Sequence, residues 1–422
     1  MNNDTECAII VSLDIESSPI ERNFFVAEKN KRGLKPVKTN FEEIDEKVRE
    51  HRRTIIRRTL QVVGILVAIV VVVELFYALR SFESYEVRSS IDRNGSSDAQ
   101  FCEFQNYILE YSNDGISCVT HEREFVWNQS YEMTRPRVTI CGDYLAVYDN
   151  GGNEVLIMTE SGLQKQIKTT VPIETVCVAE QGTIAVLMRE GTEAQVKLFD
   201  KKGTELANGK FYGSKGSFPI DIALSKDATK LAVNMIDISQ GEVSTTISFY
   251  NFGSVGQSEI DNNVGTYTYE GLLIPEIAYV SNSRMIAVGT GKILIFEGAQ
   301  KPTLEREILI DQEIKSSFYN DKYVGIVYDN PAMENTWCIE VMDFKGNVIM
   351  ENDISIPYER IEFLSNNEIC VTNDAECEIF TIHSIRKFAY EFDKKLCRIL
   401  AGGGRQSYTF IFEETTEEVI LK

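Results

Sequence analysis

This sequence predicts an all-β chain: an eight-bladed β-propeller, with seven blades as the alternative, preceded by one transmembrane helix and a cytoplasmic tail. Three observations lead there. One long apolar run lies near the N-terminus, a strand–turn–strand unit recurs to the C-terminus, and the last recurrence lacks a strand that the start of the region can supply.

The apolar run TLQVVGILVAIVVVVELFYAL, residues 59–79, has 21 residues and one charge, Glu74. A helix of that length rises about 30 Å, the thickness of a bilayer core. Helices of globular proteins are seldom apolar on every side over such a length. The run starts too late for a cleaved signal peptide, and no small-residue cleavage site follows it. Before it stands HRRTIIRR, with Arg52, Arg53, Arg57 and Arg58, whereas Arg80 and Arg88 after it are mixed with Glu83 and Glu86. The positive-inside rule therefore predicts a single-pass plasma-membrane protein with a cytoplasmic N-terminus and an extracytoplasmic propeller. The expected divisions are a tail at 1–58, a span at 59–79 and a propeller at 80–422. Glu74 lies five residues from the outer end, close enough to reach the interface or to partner another membrane helix. In the tail, FEEIDEKVREHRRTII reads as a charged helix with pairs such as Glu43 and Lys47, continuing into the span. ECAIIVSLDI reads as a short strand.

After Tyr85 the pattern turns to short apolar or alternating runs broken by Gly, Asn and Asp. PIDIALSKDATKLAVNM is echoed by RVTICGDYLAVYDN, ETVCVAEQGTIAVLMRE, EIAYVSNSRMIAVGT, IKSSFYNDKYVGIVYDN and RIEFLSNNEICVTND. Each is followed by a third strand and a more polar fourth. Turns at Cys141, Glu180, Ser225, Ser281, Asn320, Ser365 and Ala401 lie 36 to 56 residues apart, bracketing the spacing of propeller blades. Blades begin near Phe101, Val138, Glu174, Pro219, Pro275, Ile314 and Arg360. An eighth, from Leu396, has only three strands, and residues 85–91, YEVRSSI, supply its fourth. Such closure removes the exposed edges that an open stack would leave. It also sets a polarity: the outermost strand runs from the bottom face to the top, which carries the connections between strands two and three and between blades. With about five residues between span and closing strand, a reach under about 20 Å, the bottom face is expected near the membrane.

Charge narrows the partners. Residues 1–58 carry 12 basic and 11 acidic side chains, and residues 80–422 carry 31 and 52, a net of -21. So acidic a part lacks the clustered cations that nucleic acid requires, and an anionic lipid surface would repel it unless it were tethered there. Eight of the nine cysteines lie in the propeller without metal-ligand spacing. They read as buried thiols, with one or two disulfides as the alternative.

RSSIDRNGSSDAQF, WNQSYEM, SFYNFGSVGQ, KSSFYND and the closing GGR…TEEVILK resemble an uncharacterised Firmicutes family of membrane-anchored proteins, a domain of unknown function, over residues 50–422. The resemblance implies a tail, one span and a propeller, and brings no activity, substrate or catalytic residue.

Reactive constellations are scarce. His51, His121 and His383 are the only histidines, and none sits in a nucleophile signature. No carboxylate pair stands out among so many acids. AGGGR, residues 401–405, and DNGGNE, residues 149–154, read as turns rather than as an anion cradle and a calcium loop. Trp127 and Trp337 are too few for a quinone-cofactor propeller. The expectation is a non-catalytic binding or scaffold protein without metal or cofactor, engaging an envelope protein or wall polysaccharide. The alternatives are a glycan-active enzyme with its site in the channel, and a sensor signalling through the tail. Departures from the repeat mark the candidate surface. DNNVGTYTYEGLLIP, residues 261–275, reads as a lengthened connection between blades. MIDISQGEV and YDNPAMENTW read as lengthened turns between second and third strands. All are assigned to the top face, with Tyr267, Tyr269, Asp329, Asn330 and Trp337 as partner-binding candidates.

Overall fold

A computed structural model describes residues 41–93, 98–212, 216–239, 241–334 and 336–422. The tail strand read in ECAIIVSLDI, the side chains of Glu43 and Lys47, and the side chain of Glu74 lie outside the described residues. The chain divides into two units, with the boundary between Val70 and Val71.

One helix, Phe41–Ala78, runs for 38 residues through both the charged flank and the apolar run. Its stretch Val48–Val73 is long and apolar enough to cross a membrane, and none of it is buried. Arg52, Arg53, Arg57 and Arg58 stand exposed along it.

The second unit contains eight sheets of four antiparallel strands. Blade 1 is Gln100–Phe104, Tyr107–Ser112, Gly115–Val119 and Phe125–Ser130. Blades 2 to 7 occupy 136–168, 173–212, 217–270, 276–309, 316–354 and 360–391. Blade 8 takes Leu396–Ala401, Ser407–Phe412 and Thr415–Leu421 from the C-terminus and Tyr85–Asp92 as its outer strand. The register runs from Tyr85 opposite Leu421 to Asp92 opposite Thr415. The ring therefore has eight blades, and the seven-bladed alternative is excluded.

The continuous apolar runs follow from this stacking. In blade 3 the strand Ile184–Glu190 gives Ile184, Val186 and Met188 to a core shared with blade 2, and Ala185 and Leu187 to a core shared with blade 4. A strand buried on both faces needs apolar residues at every position, not at alternate ones. Outer strands such as Gly162–Lys168 keep only one or two buried positions, hence their polar sequences.

Two polar pins hold the closing strand. At its top end Arg93 is buried and donates to the carbonyls of Phe412 (2.6 Å) and Glu413 (3.0 Å) and to Glu110 (2.9 Å), which also pairs with Arg123. At its bottom end Phe82 is buried, and its N–H donates to the Lys387 carbonyl at 2.8 Å. The Lys387 ammonium, also buried, donates to Glu368, to the Arg405 carbonyl and to Tyr408, and Tyr408 donates to Glu368.

Eight cysteines among the described residues are free thiols, buried or half-buried. Burial pushes Cys102 and Cys177 up to about 12 and Cys118 and Cys338 up to about 11, so they are protonated and unreactive at neutral pH.

Candidate functional site

The eight inner strands surround the axis of the ring and carry charges of both signs. Blades 3, 4 and 5 contribute Glu174, Asp221 and Glu276, while blades 1, 2, 7 and 8 contribute Glu103, Arg137, Arg360, Glu362 and Arg398. Glu174 pairs with Arg189 at 3.0 Å. Arg398 pairs with Glu362, and Arg360 donates to the Cys397 carbonyl at 2.9 Å. Burial and the nearby Arg398 guanidinium hold Arg360 below the usual arginine range.

Asp221 follows a bulge in the inner strand of blade 4 and points to blade 5. Its two oxygens accept from the N–H groups of Ile222 and Ile277, each at 2.9 Å. Burial pushes its carboxyl up to about 7, with the Glu276 charge adding to the rise and the two N–H bonds opposing it. Glu276 itself accepts from Ser317 at 2.7 Å. A carboxyl raised above its unfolded value of about 3.9 holds its proton better in the folded chain, so it withdraws stability as pH rises from about 4 through about 7. Its neighbours Tyr319 and Cys177 are both raised by burial and carry no charge in that window. Asp221→Asn is therefore expected to flatten the loss of stability between pH 5 and 8 by roughly 1–3 kcal/mol. Urea unfolding of both chains across that range measures the difference, and parallel curves would contradict it.

On the top face a cleft of about 270 Å³ lies between blades 5 and 6, lined by Pro275, Val288, Thr290, Lys315, Ser316 and Ser317 among others. Three of the candidates from the sequence stand beside it. Asp329 pairs with Lys315 at 3.3 Å, and Lys315 also holds Glu313 at 3.1 Å. Ser316 shares a 2.8 Å hydrogen bond with the Tyr358 hydroxyl, and Trp337 packs edge-on against that ring at 5.3 Å. Asn330 donates to Asp353 at 2.9 Å and accepts from the Ala332 N–H, which fixes the turn at 330–336 on blade 6.

Tyr267 and Tyr269 are placed differently from the sequence reading. They lie on Asn263–Glu270, the outer strand of blade 4, and not on a connection between blades. The Tyr267 ring packs against Phe249 and Phe296, and its hydroxyl donates to the Pro302 carbonyl at 3.2 Å. Tyr269 joins the same core. The lengthened segment of this blade is 252–262, between third and fourth strands on the bottom face. The error arose because NVGTYTYE alternates as an outer strand should, whereas the two short 3-10 turns before it follow no periodicity.

The other motifs resolve as turns. Residues 150–153 form a tight hairpin on the top face in which Gly151 has φ +85°. Residues 402–406 form a bottom connection of blade 8, whose Arg405 carbonyl serves Lys387. His121 lies 3.2 Å from the Thr409 hydroxyl, and among the described residues no histidine is hydrogen-bonded to a carboxylate. Also among the described residues, no three His, Cys, Asp or Glu side chains are grouped to hold a metal ion.

The sequence had not revealed how unevenly the faces are charged. Connections on the top face, with the strand residue flanking each, carry 23 acidic and 8 basic side chains among the described residues, a net of -15. The bottom connections, taken the same way and including residues 79–84, carry 15 acidic and 13 basic, a net of -2.

Among solved structures, the ring is similar to BamB from Moraxella catarrhalis, at 12% identity and a TM-score of 0.47, covering 80% of this chain and 100% of that one. It is also similar to AztD from Citrobacter koseri, at 10% identity and a TM-score of 0.47, covering 70% of this chain and 87% of that one. No curated protein matches the chain. Residues 78–421 match the family described as "Family of unknown function (DUF5711)", and the chain belongs to that family.

Proposed function

We propose that this is a membrane-anchored, non-catalytic binding or scaffold protein. Its N-terminus is cytoplasmic, and its propeller stands outside the plasma membrane and holds an envelope protein. One observation carries the choice of partner: the top face has a net charge of -15. Such a face attracts a basic protein surface and repels an anionic wall polymer. The cleft between blades 5 and 6, with Asp329 and Trp337 at strand ends and Tyr358 on the next connection beside it, supplies the recessed contact around which interfaces form. The reading as a glycan-active enzyme draws support from the raised carboxyl of Asp221 next to Glu276. Against it, both Asp221 oxygens are already bonded, one to the Ile222 N–H of its own strand and one to the Ile277 N–H across the blade 4–5 seam.

Photo-crosslinking from position 333 in intact membranes tests the proposal. A discrete protein adduct is expected, weakened at least about tenfold when Glu313, Asp329 and Glu334 are all changed to Lys, as loss of several charge contacts requires. An adduct indifferent to that reversal, or a labelled polysaccharide in its place, would contradict it.

A further inference from the structure

We propose that the bottom face of the propeller rests on the lipid surface, as a near-neutral, partly apolar contact. This rests on the reading of the helix as a membrane span. The occupant is the headgroup region of the bilayer that holds the helix.

Three observations carry it independently. First, the bottom connections have a net of only -2 against -15 on top, so this face alone can approach phosphate headgroups without strong repulsion. Second, exposed apolar side chains gather at its rim. Phe125 and Val126 on blade 1, Leu163 on blade 2, Leu206 on blade 3, and Val348 and Ile349 on blade 6 occupy the first two positions of outer strands, where those strands leave the bottom face. Leu206 is 57% exposed and Phe125 71%, whereas on the top face exposed apolar side chains stand singly, at Ile238, Leu309 and Met333. Third, the chain enters the ring on this face. Six residues, 79–84, join the end of the helix to the closing strand, and Phe82 within them is fixed to blade 7.

The lengthened segment of blade 4 belongs to the same surface. Its eleven residues, 252–262, compare with two to five in the six corresponding connections of blades 1, 2, 3, 5, 6 and 7. The segment is firmly built. The Asn251 side chain accepts from the Gly253 N–H at 2.7 Å and donates to the Gln300 carbonyl at 2.7 Å. Gly256 lies so close to the Asn251 carbonyl that no side chain would fit there. What this rigid platform presents is Ile260, 86% exposed. Together with the apolar rim on the same face, an isoleucine held outward so firmly suits a lipid interface.

The test uses the full chain in phosphatidylcholine vesicles, with a fluorescent amino acid at position 260, 333 or 67. A headgroup-linked quencher is expected to quench position 260 at least about threefold more than position 333, in line with shallow interfacial burial. Phe125→Asp, Leu163→Asp and Leu206→Asp together are expected to bring position 260 down to the level of 333 with the β circular dichroism unchanged. Equal quenching at 260 and 333, or quenching at 260 that survives the three aspartates, would overturn the proposal. Position 67 reports on the membrane span itself. If acyl-chain bromines quench it while 260 stays unquenched, only this inference falls. If they do not, the membrane-span reading falls and takes this inference with it.

Discussion

Arg93→Met is expected to lower the unfolding free energy by about 3–5 kcal/mol, the usual consequence of removing one partner from a buried ionic cluster. Arg93 leaves the closing strand and reaches three acceptors at once, two carbonyls of blade 8 and Glu110 of blade 1. Its guanidinium also stacks 4.5 Å above the Phe101 ring. Methionine retains much of the apolar stem but leaves the carbonyls unpaired in a region that water scarcely enters. Glu110 keeps Arg123 and is only partly stranded. Lys422→Met provides a control at the same seam, because Lys422 and Glu86 form an exposed pair whose loss should cost little. Urea unfolding of the full chain in detergent, followed by the fluorescence of half-buried Trp127 in blade 1 and Trp337 in blade 6, measures both. If Arg93→Met were as mild as Lys422→Met, the top pin would be no part of ring closure.

The second large effect is expected at the bottom pin. Lys387→Met should cost about 3 kcal/mol, since it leaves the Glu368 carboxylate facing Tyr408 without its cation. The loss should be strongly coupled: adding Glu368→Gln to Lys387→Met should recover at least about 1 kcal/mol, because the stranded charge is then gone. Additive losses would mean that the two side chains act separately. The Phe82 contact gives this pin a wider role. A loosened blade 7–8 seam would release the segment entering the ring, so limited proteolysis between residues 79 and 84 should accelerate in Lys387→Met and not in Lys422→Met.

Most of the fold was legible because a propeller repeats itself. A turn flanked by two apolar strands, seen once at 219–235, is weak evidence for anything. Seen at 36- to 56-residue spacing it fixes the meander, and the surplus strand at 85–91 beside a three-stranded last blade fixes the closure. The candidate site was legible only in part. The turn at 330–336 on blade 6 was readable as an insertion into the repeat, and Asp329, Asn330 and Trp337 stand together beside a cleft. Tyr267 and Tyr269 were misplaced because an insertion had to be assigned to one side or the other of an alternating strand, and composition alone does not decide which. Arg93, Lys387 and Asp221 were invisible for another reason. Each bonds a group of a neighbouring blade, Arg93 to Glu110, Lys387 to Tyr408 and Asp221 to Ile277, at separations of 17, 21 and 56 residues, and no local pattern announces such pairings.

Both the envelope partner and the lipid contact require the chain to cross the membrane once, and the partner requires the propeller to stand outside. Met333→Cys, in a background without the native cysteines, tests this on a side chain that is exposed on the top face. Gly151 is a poorer position, since its φ of +85° strains any side chain and the Arg135 guanidinium would have to move aside. A membrane-impermeant thiol reagent is expected to label Met333→Cys in intact cells. Labelling only after lysis, in protein that remains folded, would place the propeller in the cytoplasm and contradict this topology.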